Sequence, residues 1–480
     1  MNHGRFRFTA YAALGMLILA GCKGSVNDDS NFFALTFRAS LDPNGTELAG
    51  PSDRSKISTD GRYVVFQTRA SNLVSRDVNG KFDIYRKDLT TGAVLRVSVE
   101  AFDDGDPVDG NPFNTSLLPF DPVTSTDHNP NQDCLNPAIT PDGRFVVFQS
   151  ISDDLANDDP QGFLTPRIDI FRRDLVTGET LWISEPVGGQ SPNGDSINAT
   201  ISDDGRYVAF ESDASNLVFV DGGGVRDVFV RDTLFGTTVL VSSSAAGVPG
   251  NLESKNAAIS GDGQRVAFDS QASNLVAADD GSNNDVFVKA WLAALPTVTR
   301  VSVEGTGEPD GDPSDLDNAD GSSAQPCLSQ DGRFVAFLSV ADDLIGDDNN
   351  QTLDVFIRDT LLGTTARVSV SSRGGEASQA SFSPQISRDG RWVTFHSATP
   401  DLIPADTNNA IDIFLRDTVV NSTIRISVAT YGVESSPFFD SAFPSVSGDG
   451  RFVAFTSLAP NLAPDDTNGT SDIYIRGPLY

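Results

Sequence analysis

The stretch "SGDGRFVAFTSLAPNLAPDDTNGTSDIYIRG" (447–477) contains two short apolar runs, each entered from an Asp-bearing turn. Asp449-Gly450 precedes "RFVAF", and Asp472 opens "DIYIRG". Asp-Gly is a hairpin signal because glycine accepts positive φ without a side-chain clash. Upstream, the first run returns as "DGRYVVF" from Asp60, "DGRFVVF" from Asp142, "DGRYVAF" from Asp204, "DGQRVAF" from Asp262, "DGRFVAF" from Asp331 and "DGRWVTF" from Asp389. Each is followed by a second marker beginning at Asp83, Asp169, Asp227, Asp285, Asp354, Asp412 or Asp472. A third marker is "LRVSV" (95–99), echoed at 299–303, 366–370 and 424–428. The chain therefore consists of seven copies of one unit, which overrides the multi-domain expectation that 480 residues would otherwise raise.

Each unit reads as four short strands: a stretch before Asp-Gly such as "PSVS" (444–447), the "YVVF" run, the "DIFVRD" run and the "RVSV" run. The runs are apolar on both faces, so both faces of each sheet must be covered. Small four-stranded sheets stacked around an axis satisfy this, and no segment shows helical periodicity. The fold class is all-β, a single seven-bladed β-propeller with four antiparallel strands per blade. The seventh unit stops at Tyr480 without its fourth strand, whereas Phe37-Arg38-Ala39-Ser40-Leu41 matches the "RVSV" pattern upstream of the first unit. The N-terminal strand is expected to complete the last blade and remove an open edge.

The repeats, with "SNLV" (71–74, 215–218, 273–276) after the "DGR" run, resemble the TolB-like, WD-type propeller repeats of exported bacterial proteins. The resemblance covers nearly the whole chain after its N-terminal segment and implies fold, not activity. TolB itself carries a separate α/β domain ahead of its propeller, for which this chain has no room.

Residues 1–21 read as a processing signal, with Arg5 and Arg7 before the apolar "AYAALGMLILAG". Leu19-Ala20-Gly21-Cys22 resembles the lipobox of bacterial lipoproteins, which implies cleavage before Cys22 and lipid attachment there. Residues 22–31 form a tether and 32–480 the propeller. Lys23 is not the aspartate associated with inner-membrane retention, so the outer membrane is favoured. Cys134 and Cys327 are expected to be unpaired.

Lys and Arg total 34 against 66 Asp and Glu, a net charge of −32 that disfavours nucleic acid. Propeller topology places the two-to-three and four-to-one connections on one rim, the top. The insertions 102–133 and 305–325 are four-to-one connections that contain Asp but no Lys or Arg, so the top is expected to be acidic. The N-terminal strand begins at the bottom, which puts a lipid on Cys22, and the membrane, at that face. The basic residue closing each third strand (Lys87, Arg173, Arg231, Lys289, Arg358, Arg416, Arg476) shares the face of the opening Asp and is read as a structural ion pair.

Three two-to-three loops carry oxygen ligands at spacings suited to weak calcium binding: Asp77, Asn79 and Asp83; Asp406, Asn408 and Asp412; Asp466, Asn468 and Asp472. The variation of Asn with Gly elsewhere follows turn chemistry instead, so an Asx-rich turn is favoured, with Ca2+ as the possible cofactor. No catalytic set is evident. Only His128 and His396 follow the signal segment, and no G-x-S-x-G motif occurs. The expected role is a non-catalytic, monomeric binding or scaffold module whose acidic rim meets an envelope protein, a peptide or a glycan. A polysaccharide-directed hydrolase or lyase using rim carboxylates is the alternative. Replacing Cys22 by Ala is expected to abolish fatty-acid labelling and move the protein from the membrane to the soluble fraction; unchanged labelling would refute lipidation at this cysteine.

Overall fold

The computed structural model describes residues 34–479 except 75–76, 100–131, 154, 157–165, 222, 278, 280, 282, 304–320 and 405. The signal segment, Cys22, the tether, His128 and nearly all of both insertions lie outside the described residues. Among those described, the strands form seven four-stranded antiparallel sheets, and the one helical turn is Thr430–Gly432. Blade 1 comprises Ser52–Ile57, Tyr63–Thr68, Asp83–Asp88 and Val94–Arg96, and the other blades follow in chain order. Blade 7 consists of Ser441–Val446, Val453–Ser457 and Asp472–Gly477, completed by Leu35–Arg38. The N-terminal strand pairs with the last one in the register Leu35↔Gly477 to Arg38↔Tyr474, so the ring closes as expected.

Two strands differ from their sequence-based limits. The first begins three residues earlier, at Ser441 in blade 7, and carries a bulge. The fourth ends at its arginine, at Arg96 in blade 1 and Arg425 in blade 6. The ladder ends there because a side chain takes over the next rung. Ser98 Oγ accepts the Ile84 N–H at 3.0 Å and donates to the Asp83 carboxylate at 2.7 Å. The same clip joins Ser184 to Asp169, Ser242 to Asp227, Ser302 to Asp285, Ser369 to Asp354, Ser427 to Asp412 and, across the ring closure, Ser40 to Asp472.

Between the clip and the bottom of each blade, an aromatic from the second strand meets one from the third. Phe148–Phe171, Phe395–Phe414 and Phe455–Tyr474 have centroids 6.0, 5.6 and 5.8 Å apart, all fully buried. The Asp-Gly turn links neighbours. Gly450 has φ of +74°, and a Cβ there would lie 2.3 Å from Trp392 of the preceding blade. At the closure, Gly61 lies beneath Phe452 in the same way, which only glycine permits.

Of the basic residues that close the third strands, Arg231 forms an ion pair, with Glu185 of the preceding blade, while others reach backbone oxygens. Lys87 donates to Leu41 O, Lys289 to Val241 O and Ser243 O, and Arg416 to Ser371 O, all carbonyls of the preceding blade. A four-residue separation along a strand is about 13 Å, too far for a direct contact with the opening Asp. Replacing Ser40 by Ala strands the Ile473 N–H and one Asp472 oxygen at the closing seam. It is expected to cost about 1–3 kcal/mol in urea unfolding; a loss within error would show that the clip does not hold the ring.

Candidate functional site: the central channel

The seven first strands line the channel, and each breaks register at its third residue. Those residues are Arg54, Asn136, Asn198, Asn256, Gln325, Ser383 and Phe443, with φ between +52° and +56°. Asparagine tolerates this region; Phe443 and Arg54 require support from their surroundings. In blades 2 to 5 that support comes from the preceding blade. The bulge N–H groups of Asn136, Asn198, Asn256 and Gln325 donate to Gln67, Gln149, Glu211 and Asp269, respectively, at 2.8–3.0 Å. The series stops at Leu338, His396 and Thr456, the equivalent positions of blades 5 to 7.

Glu211 and Asp269 are buried carboxylates on adjacent blades, joined through Asn256, whose Nδ2 reaches Asp269 at 2.7 Å. Burial pushes both carboxyl pKa values up, and the amide donors oppose it. His396 stacks on Phe382 at 5.6 Å, and burial pushes its pKa down to about 4, so it is neutral at pH 7. Sequence reasoning passed over the two acids, although each follows the second-strand Phe in an otherwise apolar run, as His396 does.

Two residues below the bulge, the lining side chains are mostly small or neutral, with Lys56 as the exception. Its Nζ bonds Gln385 Oε1 at 2.8 Å, from blade 1 to blade 6, and burial pushes its pKa down to about 8. Cys327 sits at the same level, unpaired, its thiol pushed up to about 12 by burial. Cys134 is buried and is not in a disulfide. At the bottom, Arg388 of blade 6 and Asp203 of blade 3 form an ion pair at 2.6 Å across the axis. What remains is a cavity of about 480 Å³ along the first strands, with Arg54 and Lys56 as its charged lining. A larger groove of about 660 Å³ runs along the fourth strand of blade 6.

The nine calcium candidates gather in three groups on the top rim, each facing the arginine that ends a fourth strand. Arg38 lies 3.4 Å from Asp466, 3.2 Å from Asp472 and 2.6 Å from Glu47. Arg425 lies 2.9 Å from Asp406, 3.2 Å from Asp412 and 2.7 Å from Glu434. Asp77 accepts from Tyr85 OH, and Arg96 counteracts the burial-raised pKa of Asp83, which stands at about 6. Asn79, Asn408 and Asn468 each accept from the N–H two residues on and donate to the Asp four residues on, as Asx turns do. Thus the positive charge among these carboxylates is a guanidinium.

Blade 3 lacks it, with Leu240 at the arginine position. Burial, followed by the charge of Asp221, raises Asp227 to about 7.

No family model matches the sequence, and no curated protein does. Among solved structures, the chain is similar to an oligogalacturonate lyase in complex with manganese, at 12% identity over 94% of this chain and 95% of that one, TM-score 0.50. An oligogalacturonate lyase from Vibrio parahaemolyticus is 14% identical over 92% and 96%, TM-score 0.47. TolB from Acinetobacter baumannii is 12% identical over 88% and 81%, TM-score 0.38. At these identities the likeness is one of fold.

Asp227 generates a pH dependence. Its folded pKa is above the unfolded value, so its stabilisation is complete below about pH 4 and is lost as pH rises through about 7. Leu240→Arg is expected to stabilise the protein by about 1–2 kcal/mol at pH 8 and by little at pH 5. An equal effect at both pH values, measured by urea unfolding, would refute this account.

Proposed function

We propose that this protein is a lipid-anchored binding module of the bacterial envelope, whose channel takes an acidic oligosaccharide from the top. The supporting observation is the lining of the cavity: Arg54 and Lys56 are its charged side chains, beside the amides of Asn136, Asn198, Asn256, Gln325 and Gln385. Amides donate and accept, which suits hydroxyl groups, and Phe443 adds an apolar face near the mouth. The Arg388–Asp203 ion pair links blades 6 and 3 at the bottom, which favours holding the end of a chain over threading it.

Binding is preferred over hydrolysis or elimination because the carboxylates that acid–base chemistry would use are engaged. Glu211 and Asp269 hold the bulges, and the rim groups around Arg38 and Arg425 are ion-paired. This reading does not depend on calcium at the rim groups, where Glu47, Asp466 and Asp472 lie close enough together to hold a cation beside Arg38. The acidic rim, with Phe219 and Phe438 exposed on it, is the surface that a partner protein would meet.

Lys56 is protonated below its pKa of about 8, so affinity should fall as pH rises through that value. Calorimetry is expected to show an acidic oligosaccharide binding at pH 7, with about tenfold loss in Lys56→Met together with loss of the pH dependence. Equal affinity for a neutral oligosaccharide would refute the anionic preference, and binding of acidic peptides alone would replace the glycan.

A further inference from the structure

The three-to-four turns on the bottom rim carry apolar residues that the fold does not require. Leu234-Phe235, Leu361-Leu362 and Val419-Val420 occupy equivalent turn tips in blades 3, 5 and 6, each between 62 and 73% exposed. Val176 in blade 2 and Leu295 in blade 4 project from corresponding turns, 68 and 84% exposed.

The turns are built without help from these side chains. In blades 3, 5 and 6 the Asp that ends the third strand accepts the two tip N–H groups: Leu234 and Phe235 on Asp232, Leu361 and Leu362 on Asp359, Val419 and Val420 on Asp417. The same Asp pairs with an arginine of the neighbouring Asp-Gly turn, Arg206, Arg333 or Arg391. In blade 1 the tips are Thr90 and Thr91, held by Asp88 in the same way. Polar residues therefore satisfy the turn, as turn chemistry ordinarily prefers, and the apolar tips answer to something outside the fold.

We propose that the bottom rim docks on a lipid bilayer, its apolar tips entering the boundary between headgroups and acyl chains. Three observations select lipid over a protein partner. The described chain starts at this face, since Leu35 pairs with Gly477 at the bottom end of the third strand, so the segment leading back to Cys22 leaves from here. Five acids of the rim turns, Asp88, Asp174, Asp232, Asp359 and Asp417, are each paired with an arginine, which lowers the negative charge that this face presents to lipid. The tips also stand apart, one blade from the next. A fluid interface admits each independently, whereas a protein would need a matching set of pockets. The docking is independent of the channel ligand and adds a second membrane contact to any lipid on Cys22.

The test uses residues 23–480, which keep every described strand but lack Cys22, and vesicles of phosphatidylcholine and phosphatidylethanolamine. The chain is expected to float with the vesicles, and Phe235→Trp fluorescence to be quenched by brominated acyl chains. Changing Leu234, Phe235, Leu361, Leu362, Val419 and Val420 to Thr, the blade 1 residue, is expected to lower partitioning at least about tenfold with an unchanged unfolding midpoint. Phe219→Ser on the top rim should have no effect. Absence of flotation, flotation undiminished in the Thr variant, or a tip-dependent dimer in solution would each overturn the proposal. Loss of oligosaccharide binding in Lys56→Met leaves flotation unchanged, so the two failures are distinguishable.

Discussion

A buried aspartate held by a serine from the next strand is the contact on which the ring depends. The Asp that opens each third strand would be costly to bury without donors. It receives the serine hydroxyl, and that serine also accepts the second-residue N–H of the third strand, as Ser427 does for Ile413. The clip thus ends the fourth strand and starts the connection to the next blade at a defined point. In blade 7 the serine is Ser40, and the clip then joins the beginning of the chain to its end. Seven local contacts, each modest, set the geometry that lets the seventh sheet meet the first.

What the sequence revealed follows from this repetition. A residue type is legible when the same job recurs with one chemical solution, as with the Asp of the third strand and the glycine beneath an aromatic. The bulges were illegible for the opposite reason. Arg54, Asn136, Ser383 and Phe443 share a backbone angle and no side-chain chemistry, and in blades 2 to 5 the bulge is held by a side chain of the preceding blade. Glu211 and Asp269 belong to that hidden layer, since their role appears only when the neighbouring blade is in place. The closing basic residues misled through period alone. Sharing a strand face does not bring two groups within reach when a guanidinium from the adjacent strand lies closer to the carboxylate.

Charge is arranged by the same connections. At the bottom, Asp88, Asp174, Asp232, Asp359 and Asp417 each have an arginine within the same blade, and such exposed pairs add little stability but fix the turn. On the top, Glu434 and Glu47 each share one arginine with two aspartates. These two groups therefore carry an excess of carboxylates on the top, opposite the face from which the N-terminal segment departs. In the docking proposed above, these acidic groups point away from the bilayer, which suits a chain with a net charge of −32.

Sevenfold repetition by itself makes no specific site, because equivalent positions present equivalent groups. Specificity has to come from positions where the repeat is broken. The breaks here are not scattered: Lys56 among small lining residues, Phe443 and Arg54 at strained bulges, and His396 where other blades place amides or acids. Blades 6, 7 and 1 supply these four side chains, and their bulges face Leu338, His396 and Thr456 where those of blades 2 to 5 face an amide or acid acceptor. Blades 2 to 5 form the regular, hydrogen-bonded half of the channel wall, and the other half carries cation, aromatic and imidazole. A ligand entering from the top would meet a rigid amide surface on one side and the varied groups on the other. That division arises within the repeat itself, and it locates recognition on the irregular side.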